Sequence, residues 1–386
     1  MPTTTATELA QLGGLVTTDS STSTVTVNGT LAATTITLPN NSVTAVKLAN
    51  PQYTGFRNRI TNGDMRIDQR NNGSSVNVSG FYPVDRFLVG NAVTTWTAQR
   101  STVAPSGFTN SFLYTSVTGG AAGVNDRLII RHRIEGTSFS DLAWGSASAS
   151  AVTLSFWVRS SLTGTHSGSL RNALEDRAYP FSYSISSANT WEYKTVTISG
   201  DTTGTWETGI GIGVQLSFDL GSGTSKRGTA GAWSAGDLVG VTGAVSVSNT
   251  TGATFYITGV QLEAGATATD FERRPYGTEL ALCQRYFTQL SSATVIPGIQ
   301  NGTTSIDAYV TTPVALRATP SVTLGAGNSY CSRQTTAAMS TSTTLTNILL
   351  FGTNVFKFNI AGFTGLNDLY SCVLYTGNIL QISAEL

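Results

Sequence analysis

The sequence predicts a mostly β protein in several parts: a thin N-terminal arm of β and coil, a central jelly-roll β-sandwich, a short linking helix and a C-terminal β-sandwich. Three observations carry that expectation. Apolar and polar residues alternate over many short runs, the period of a half-buried strand. Forty glycines, with Ser, Thr and Asn between the runs, suit turn-rich β structure. Clear helical spacing appears near residue 280, between two β-rich segments.

Residues 1–54 fall short of a lone domain. Fourteen of the first fifty residues are Thr, and only Glu8, Asp19 and Lys47 are charged. A helical turn is expected at 6–12, then strands at 24–27 and 35–38 separated by Asn28-Gly29 and Pro39-Asn40-Asn41. Strands so short, each with one narrow apolar face, bury too little surface alone to offset chain entropy. Completion by other chains is expected, as in a stalk or docking arm where three chains wrap together.

From Gly55 to Tyr276 strands recur at close spacing between polar turns, the signature of a sandwich. Along 209–220, Ile210, Ile212, Val214, Leu216, Phe218 and Leu220 share one face. Along 152–159, Val152, Leu154, Phe156 and Val158 form the core face, which leaves Trp157 opposite with Thr153, Ser155 and Arg159. Runs at 191–198 and 254–262 add two strands, and two antiparallel sheets in a jelly roll accommodate them all. Residues 277–290 read as the linking helix. Thr278 is its expected N-cap, and Leu280, Cys283, Phe287 and Leu290 fall on one helical stripe. Residues 291–386 repeat the β pattern on the scale of a small domain.

Charged residues make up only 11% of the chain and the formal net charge is zero. That argues against nucleic-acid binding, which rests on clustered Lys and Arg. It suits a surface largely covered by copies of the same chain better than a lone soluble monomer. Cys283, Cys331 and Cys372 are too few and too scattered for a disulfide framework or a metal site, and each reads as a small buried hydrophobe. Apolar runs stay well below the ~20 residues that span a bilayer, and the start lacks the basic and apolar stretches of a signal peptide. The expectation is a protein made in a cytoplasm, without membrane insertion.

No catalytic constellation emerges. The two histidines, His132 and His166, lie outside any recognisable nucleophile context, and His132 reads as a surface or edge residue. The glycines of 209–213 mimic a phosphate loop but sit inside a strand pattern, so no nucleotide or other cofactor is expected. Glu175-Asp176 is the most visible acidic pair; Arg171 and Arg177 flank it, which favours an ion-paired turn over a glycosidase site. Arg273-Arg274, with Glu263, Asp270 and Glu272 nearby in sequence, reads as an anionic-sugar clamp or, more simply, as a source of ion pairs between subunits at the domain junction.

Several ordered motifs are more specific. Asn58-Arg-Ile-Thr-Asn-Gly-Asp-Met-Arg-Ile-Asp-Gln-Arg70 is followed by Tyr82-Pro-Val-Asp-Arg-Phe87, Arg131-His-Arg-Ile-Glu-Gly136 and Leu154-Ser-Phe-Trp-Val-Arg-Ser160. Then come Tyr179-Pro-Phe-Ser-Tyr183, Trp191-Glu-Tyr-Lys-Thr-Val-Thr-Ile198, Gly259-Val-Gln-Leu-Glu-Ala-Gly265, Phe271-Glu-Arg-Arg-Pro-Tyr276 and Glu279-Leu-Ala-Leu-Cys-Gln-Arg-Tyr-Phe287. Their order and number resemble the carbohydrate-binding-module-like domain of bacteriophage tail fibre and tail-tip proteins.

The resemblance implies a virion component, a homotrimeric fibre. Its N-terminal arm would attach to other tail or baseplate proteins, and its tip would recognise a host surface polysaccharide or lipopolysaccharide. Sugars stack their apolar faces on aromatic rings while polar groups read the hydroxyls. Trp157, Trp191, Trp206 and Trp233 in the middle domain, and Tyr309, Tyr330, Tyr370 and Tyr375 in the terminal one, are therefore the candidate carbohydrate-binding residues. The stripe of Leu280, Cys283, Phe287 and Leu290 is the candidate trimer interface, since so short a helix needs partners. Two other readings stay open: a structural tail or capsid decoration protein, and a polysaccharide depolymerase.

Overall fold

The computed structural model describes residues 16–19, 24–27, 56–90, 95–290, 295–301, 304–324, 329–333, 340–342, 344–350, 354–361, 371–376 and 380–386. The chain divides into two compact units, Met1–Tyr53 and Thr54–Leu386. In the first, strands Val16–Asp19 and Thr24–Val27 pair antiparallel. The helical turn expected at 6–12 and the strand expected at 35–38 lie outside the described residues.

The second unit opens with a sandwich whose main strands are β1 (Phe87–Gly90), β2 (Thr95–Ser101), β3 (Ser111–Thr118), β4 (Ile129–Glu135), β5 (Val152–Ser160), β6 (Gly164–Arg171), β7 (Arg177–Ile185), β8 (Glu192–Ile198), β9 (Ile212–Asp219) and β10 (Thr254–Ala264). One antiparallel sheet runs β8-β5-β10-β3-β2. The other runs β7-β6-β9-β4-β1, extended by Ser234–Ala235 at the β7 edge. Successive strands repeatedly change sheet, so the chain crosses between layers and does not meander within one.

Alternation in the sequence explains the core. Leu154, Phe156 and Val158 of β5 face Val214, Leu216 and Phe218 of β9 across the sandwich. Phe156 meets Phe218 and Tyr183 edge-on, each with ring centres 5.0 Å apart. Ile210, expected on that face, is half exposed because β9 starts only at Ile212 and carries a bulge before Val214.

The polar face of β9 is covered too. Gln215, Ser217 and Asp219 are buried, and Asp219 is bonded to Arg227 and to the amides of Gly221 and Ser222. Glu175 pairs with Arg127 at 2.9 Å and Arg171 at 3.3 Å, the ion-paired turn expected of Glu175-Asp176.

Helix α1 covers Tyr276–Gln284, and its N-cap is Pro275 rather than Thr278. Beyond it lie β11 (Phe287–Leu290), β12 (Val295–Gln300), β13 (Ser305–Thr311), β14 (Ser321–Leu324), β15 (Ser329–Arg333), β16 (Ser340–Ser342), β17 (Thr344–Leu350), β18 (Val355–Ala361), β19 (Ser371–Thr376) and β20 (Leu380–Ser383). They form a three-stranded sheet, β11-β20-β14, and a seven-stranded sheet, β16-β15-β19-β12-β13-β18-β17. A second core joins them through Ile306, Phe356, Phe358, Leu380 and Ile382.

The linking helix expected over 277–290 is therefore corrected. Phe287 and Leu290 belong to a strand paired with Ser383 and Leu380, so no four-residue helical stripe with Leu280 and Cys283 exists. Cys283 and Phe287 are 1% and 2% exposed within this chain, Leu280 is half-buried, and Leu290 packs on the second core. Pairing with β20 buries Phe287 and Leu290 more completely than one face of a short helix would. Of the four residues expected at a trimer contact, Cys283, Phe287 and Leu290 pack within the chain, along a seam between the sandwich and the terminal strands.

That seam takes up most of the ordered motifs. Gly63 packs so close to β10 that a Cβ there would lie 2.1 Å from the Val260 carbonyl, which restricts the position to glycine. Asn58 receives the Leu262 amide and donates to the Val260 carbonyl, and Arg274 spans the Asn58 and Ile60 carbonyls while pairing with Glu279. Arg86, buried and held at φ 72°, stacks 3.4 Å from the Tyr286 ring and pairs with Glu385. Arg70 lies 3.5 Å over Phe287 and also pairs with Glu385. Arg285 grips Glu135 with two bonds of 2.8 and 2.9 Å.

Candidate functional site: an aromatic groove on the outer sheet face

The five-stranded sheet turns one face to the core and the other outward. On the outward face, alternation brings Ser155, Trp157 and Arg159 of β5 into line, as the sequence predicts. Cross-strand register then sets Tyr193 beside Trp157 and Thr195 beside Ser155. The two rings lie 5.5 Å apart at 48°, with Trp157 half-buried and Tyr193 44% exposed. Trp191, just before β8, meets Tyr256 of β10 at 6.0 Å, and the Arg159 guanidinium lies 5.1 Å over the same Tyr256 ring. Trp157 and Trp191 thus share one face, with Tyr193 and Tyr256 between and beside them.

Two loops raise a wall beside this row. Phe108, between β2 and β3, and Phe271, after β10, meet edge-on at 5.2 Å. Together with Ser155, Trp157, Tyr193, Thr195, Gly259, Thr269, Asp270 and Arg273 they line a groove of ≈ 680 Å³. Gly259 makes the floor possible. It adopts φ 60° at the β10 bulge, and a Cβ there would lie 2.7 Å from Phe108 and 3.2 Å from Trp157.

The wall after β10 is fixed from beneath by polar residues with no exposed surface. Glu263 accepts bonds from the Thr269 amide at 2.8 Å and hydroxyl at 2.7 Å. Gln261 receives the Glu272 amide at 2.8 Å and donates to Glu263. Alternation alone would have counted Gln261 and Glu263 as solvent-facing; both are fully buried because the loop folds back over them.

Arg273 and Arg274 part company here. Arg274 is buried in the seam. Arg273 is exposed, its guanidinium 4.7 Å over Phe108 and 5.8 Å from Phe271. It also lines a smaller adjoining recess of ≈ 170 Å³ with Asp64, Arg66 and Thr109.

Trp206 and Trp233 occupy another corner. With Trp144 they form a triangle of edge-on rings at 4.8, 5.1 and 5.3 Å, closed by Phe139 and Tyr179. Their indole N–H groups donate to the Thr203 and Ser199 carbonyls, so these two half-buried rings lock loops together. In the terminal domain Tyr309 is partly exposed on β13, the backbone of Tyr330 and Tyr375 is in β15 and β19, and Tyr370 lies outside the described residues.

His132, expected at the surface, is 2% exposed against Phe87, with its Nε2 3.1 Å from the Thr61 carbonyl oxygen. Burial, reinforced by Arg86, holds its pKa well below the ordinary value. No group of three or more potential metal ligands occurs among the described residues. Of the tryptophans singled out in the sequence, Trp157 lines the groove and Trp191 lies on the same sheet face outside it, while Tyr193, Phe108, Phe271 and Gly259 were passed over. Register would have found Tyr193; the loop phenylalanines carry no periodic signal.

No family model matches the chain, and no curated protein matches it. Among solved structures, the enzymatically active domain of tailspike protein 4 from bacteriophage CBA120 is similar over 54% of this chain and 22% of its own, at 13% identity and TM-score 0.31. A CBM4 structure matches over 53% and 99% of the two chains, at 15% identity and TM-score 0.29. A tandem CBM22 domain from Paenibacillus barcinonensis matches over 81% and 96%, at 8% identity and TM-score 0.22. The chain spans about a fifth of the tailspike it matches. Likeness this distant carries no argument about function, which rests on the groove and the sequence motifs.

Proposed function

We propose that this chain is a non-catalytic glycan-binding protein of a bacteriophage tail, which attaches the virion to a host surface polysaccharide or lipopolysaccharide. The observation that carries the binding reading is the groove itself. Aromatic rings at its floor and wall, with Ser155, Thr195, Thr269 and Asp270 between them, are the combination that sugars require. The tail assignment rests on the ordered motifs between Asn58 and Phe287. Trimerisation belongs to the same proposal, supported by the low charge and by an N-terminal arm too slight to fold alone. Three copies per fibre would turn a shallow, weak site into firm attachment through avidity.

The test uses the full chain and a panel of purified bacterial surface polysaccharides. Binding by the wild type, lowered about tenfold or more in Trp157→Ala, is expected from loss of a central aromatic contact. Tyr309→Ala should leave it unchanged. Absence of binding across the panel, or equal binding by Trp157→Ala, would overturn the groove as the site. Shortened polysaccharide products would overturn the non-catalytic reading.

A further inference from the structure

Most arginines whose side chains are described are spoken for. Arg57, Arg59, Arg66, Arg70, Arg86, Arg127, Arg131, Arg171, Arg177, Arg227, Arg274 and Arg285 stand in ion pairs. Arg100, Arg133 and Arg317 donate to backbone carbonyls. Among the arginines whose side chains are described, Arg159 and Arg273 make neither an ion pair nor a hydrogen bond. Both lie on the outer face that carries the aromatic groove, and both are laid on aromatic rings there.

A guanidinium stacked on a ring uses its flat face for the cation–π contact and keeps its in-plane N–H donors free. Those donors match a carboxylate as a fork, and the stacking has already restricted the side chain, so less freedom is lost on binding. Most of the other arginines are compensated by an acid, and the remaining three spend their donors on carbonyls. Two cations without an ion pair thus share the face that carries the groove, where Asp270 is the acid of the lining.

Resting on the groove as a glycan site, we infer that its ligand is an acidic glycan whose sugar carboxylates are met by Arg273 and Arg159. Trp157 and Tyr193 stack the sugar rings, and Arg273 takes a carboxylate at the wall. Asp270, the acid of the groove, accepts sugar hydroxyls.

The experiment compares the full chain against polygalacturonate, hyaluronan and alginate, each alongside its carboxyl-reduced neutral counterpart. At least one acidic polymer should bind about tenfold or more tightly than its reduced form, with affinity falling as salt rises. Arg273→Gln should erase most of that preference, Arg273→Lys only part of it, and Arg159→Gln should add to the loss. Equal binding of acidic and reduced polymers, both abolished by Trp157→Ala, overturns this inference and leaves the groove reading standing. Preference for the acidic form that survives Arg273→Gln together with Arg159→Gln also overturns it. If the wild type binds no acidic polymer here yet binds a neutral polysaccharide, the inference fails alone; if it binds nothing, both readings fail.

Discussion

At the scale of single residues, the groove depends on a position with no side chain. Gly259 sits at φ 60° beneath Phe108 and beside Trp157. Replacing it with alanine imposes two effects that can be measured apart. The backbone conformation costs a residue with a Cβ about 1 kcal/mol, which denaturant unfolding should register as a modest loss. The new methyl group, 2.7 Å from the Phe108 ring, pushes that ring outward and should weaken glycan binding several-fold. A Gly259→Ala protein that binds as the wild type does would mean that the wall at Phe108 is not part of the site. At the same scale, Trp206 and Trp233 are held in one edge-on cluster with Trp144 and tie loop carbonyls through their indole N–H groups, which gives them a packing role.

Among elements, β4 carries the clearest pH dependence. His132 on that strand is buried against Phe87, faces Arg86, and shares its surroundings with the Thr61 carbonyl. Burial first and Arg86 second push its pKa well below the ordinary ~6.5. The unfolded chain therefore binds a proton that the folded one refuses, and stability falls as pH drops below about 6.5. At one unit below, the loss approaches about 1.4 kcal/mol for a histidine that stays neutral when folded. Asp85 and Glu279, raised chiefly by burial, work in the opposite sense wherever they titrate. Unfolding midpoints at pH 7.5 and 5.5 should differ in the wild type, and the gap should narrow in His132→Gln without closing, because His166, also lowered chiefly by burial, acts in the same sense; a gap unchanged by that substitution would assign it to other groups.

Strand alternation made β5 and β9 readable in advance, together with the orientation of Trp157. It failed at three places for physical reasons. His132 and the polar side of β9 are buried because neighbouring loops cover a face that a lone strand would leave wet. Residues 287–290 look helical in spacing, yet a long-range partner, β20, offers them more burial than the helix could. Phe108 and Phe271 sit in loops, where spacing carries no information about what meets in space.

At the scale of the whole molecule, the seam at Glu385 decides whether the sandwich and the terminal β layers behave as one body. Glu385 follows β20 of the terminal region, but its partners Arg70 and Arg86 belong to the opening motifs of the sandwich. The Arg86 and Arg70 side chains are 2% and 5% exposed, and Glu385 only 10%. Arg317 reinforces the link by donating to the Ala384, Glu385 and Ile210 carbonyls. Removing one partner of a buried pair costs about 3–5 kcal/mol, because the remaining charge is stranded in a poor solvent. Two arginines are stranded at once by Glu385→Ala, although Asp85 remains 3.3 Å from Arg70 and shares part of that charge. Calorimetry of the wild-type Thr54–Leu386 unit should therefore show one cooperative transition, since opening either core exposes the seam. Glu385→Ala should lower the midpoint and split the transition, with the terminal layers melting first, because among the described residues the second core is the smaller. A Glu385→Ala protein that still melts in one step at the wild-type temperature would show that the aromatic stacks at Tyr286 and Phe287 hold the two regions together without the charges.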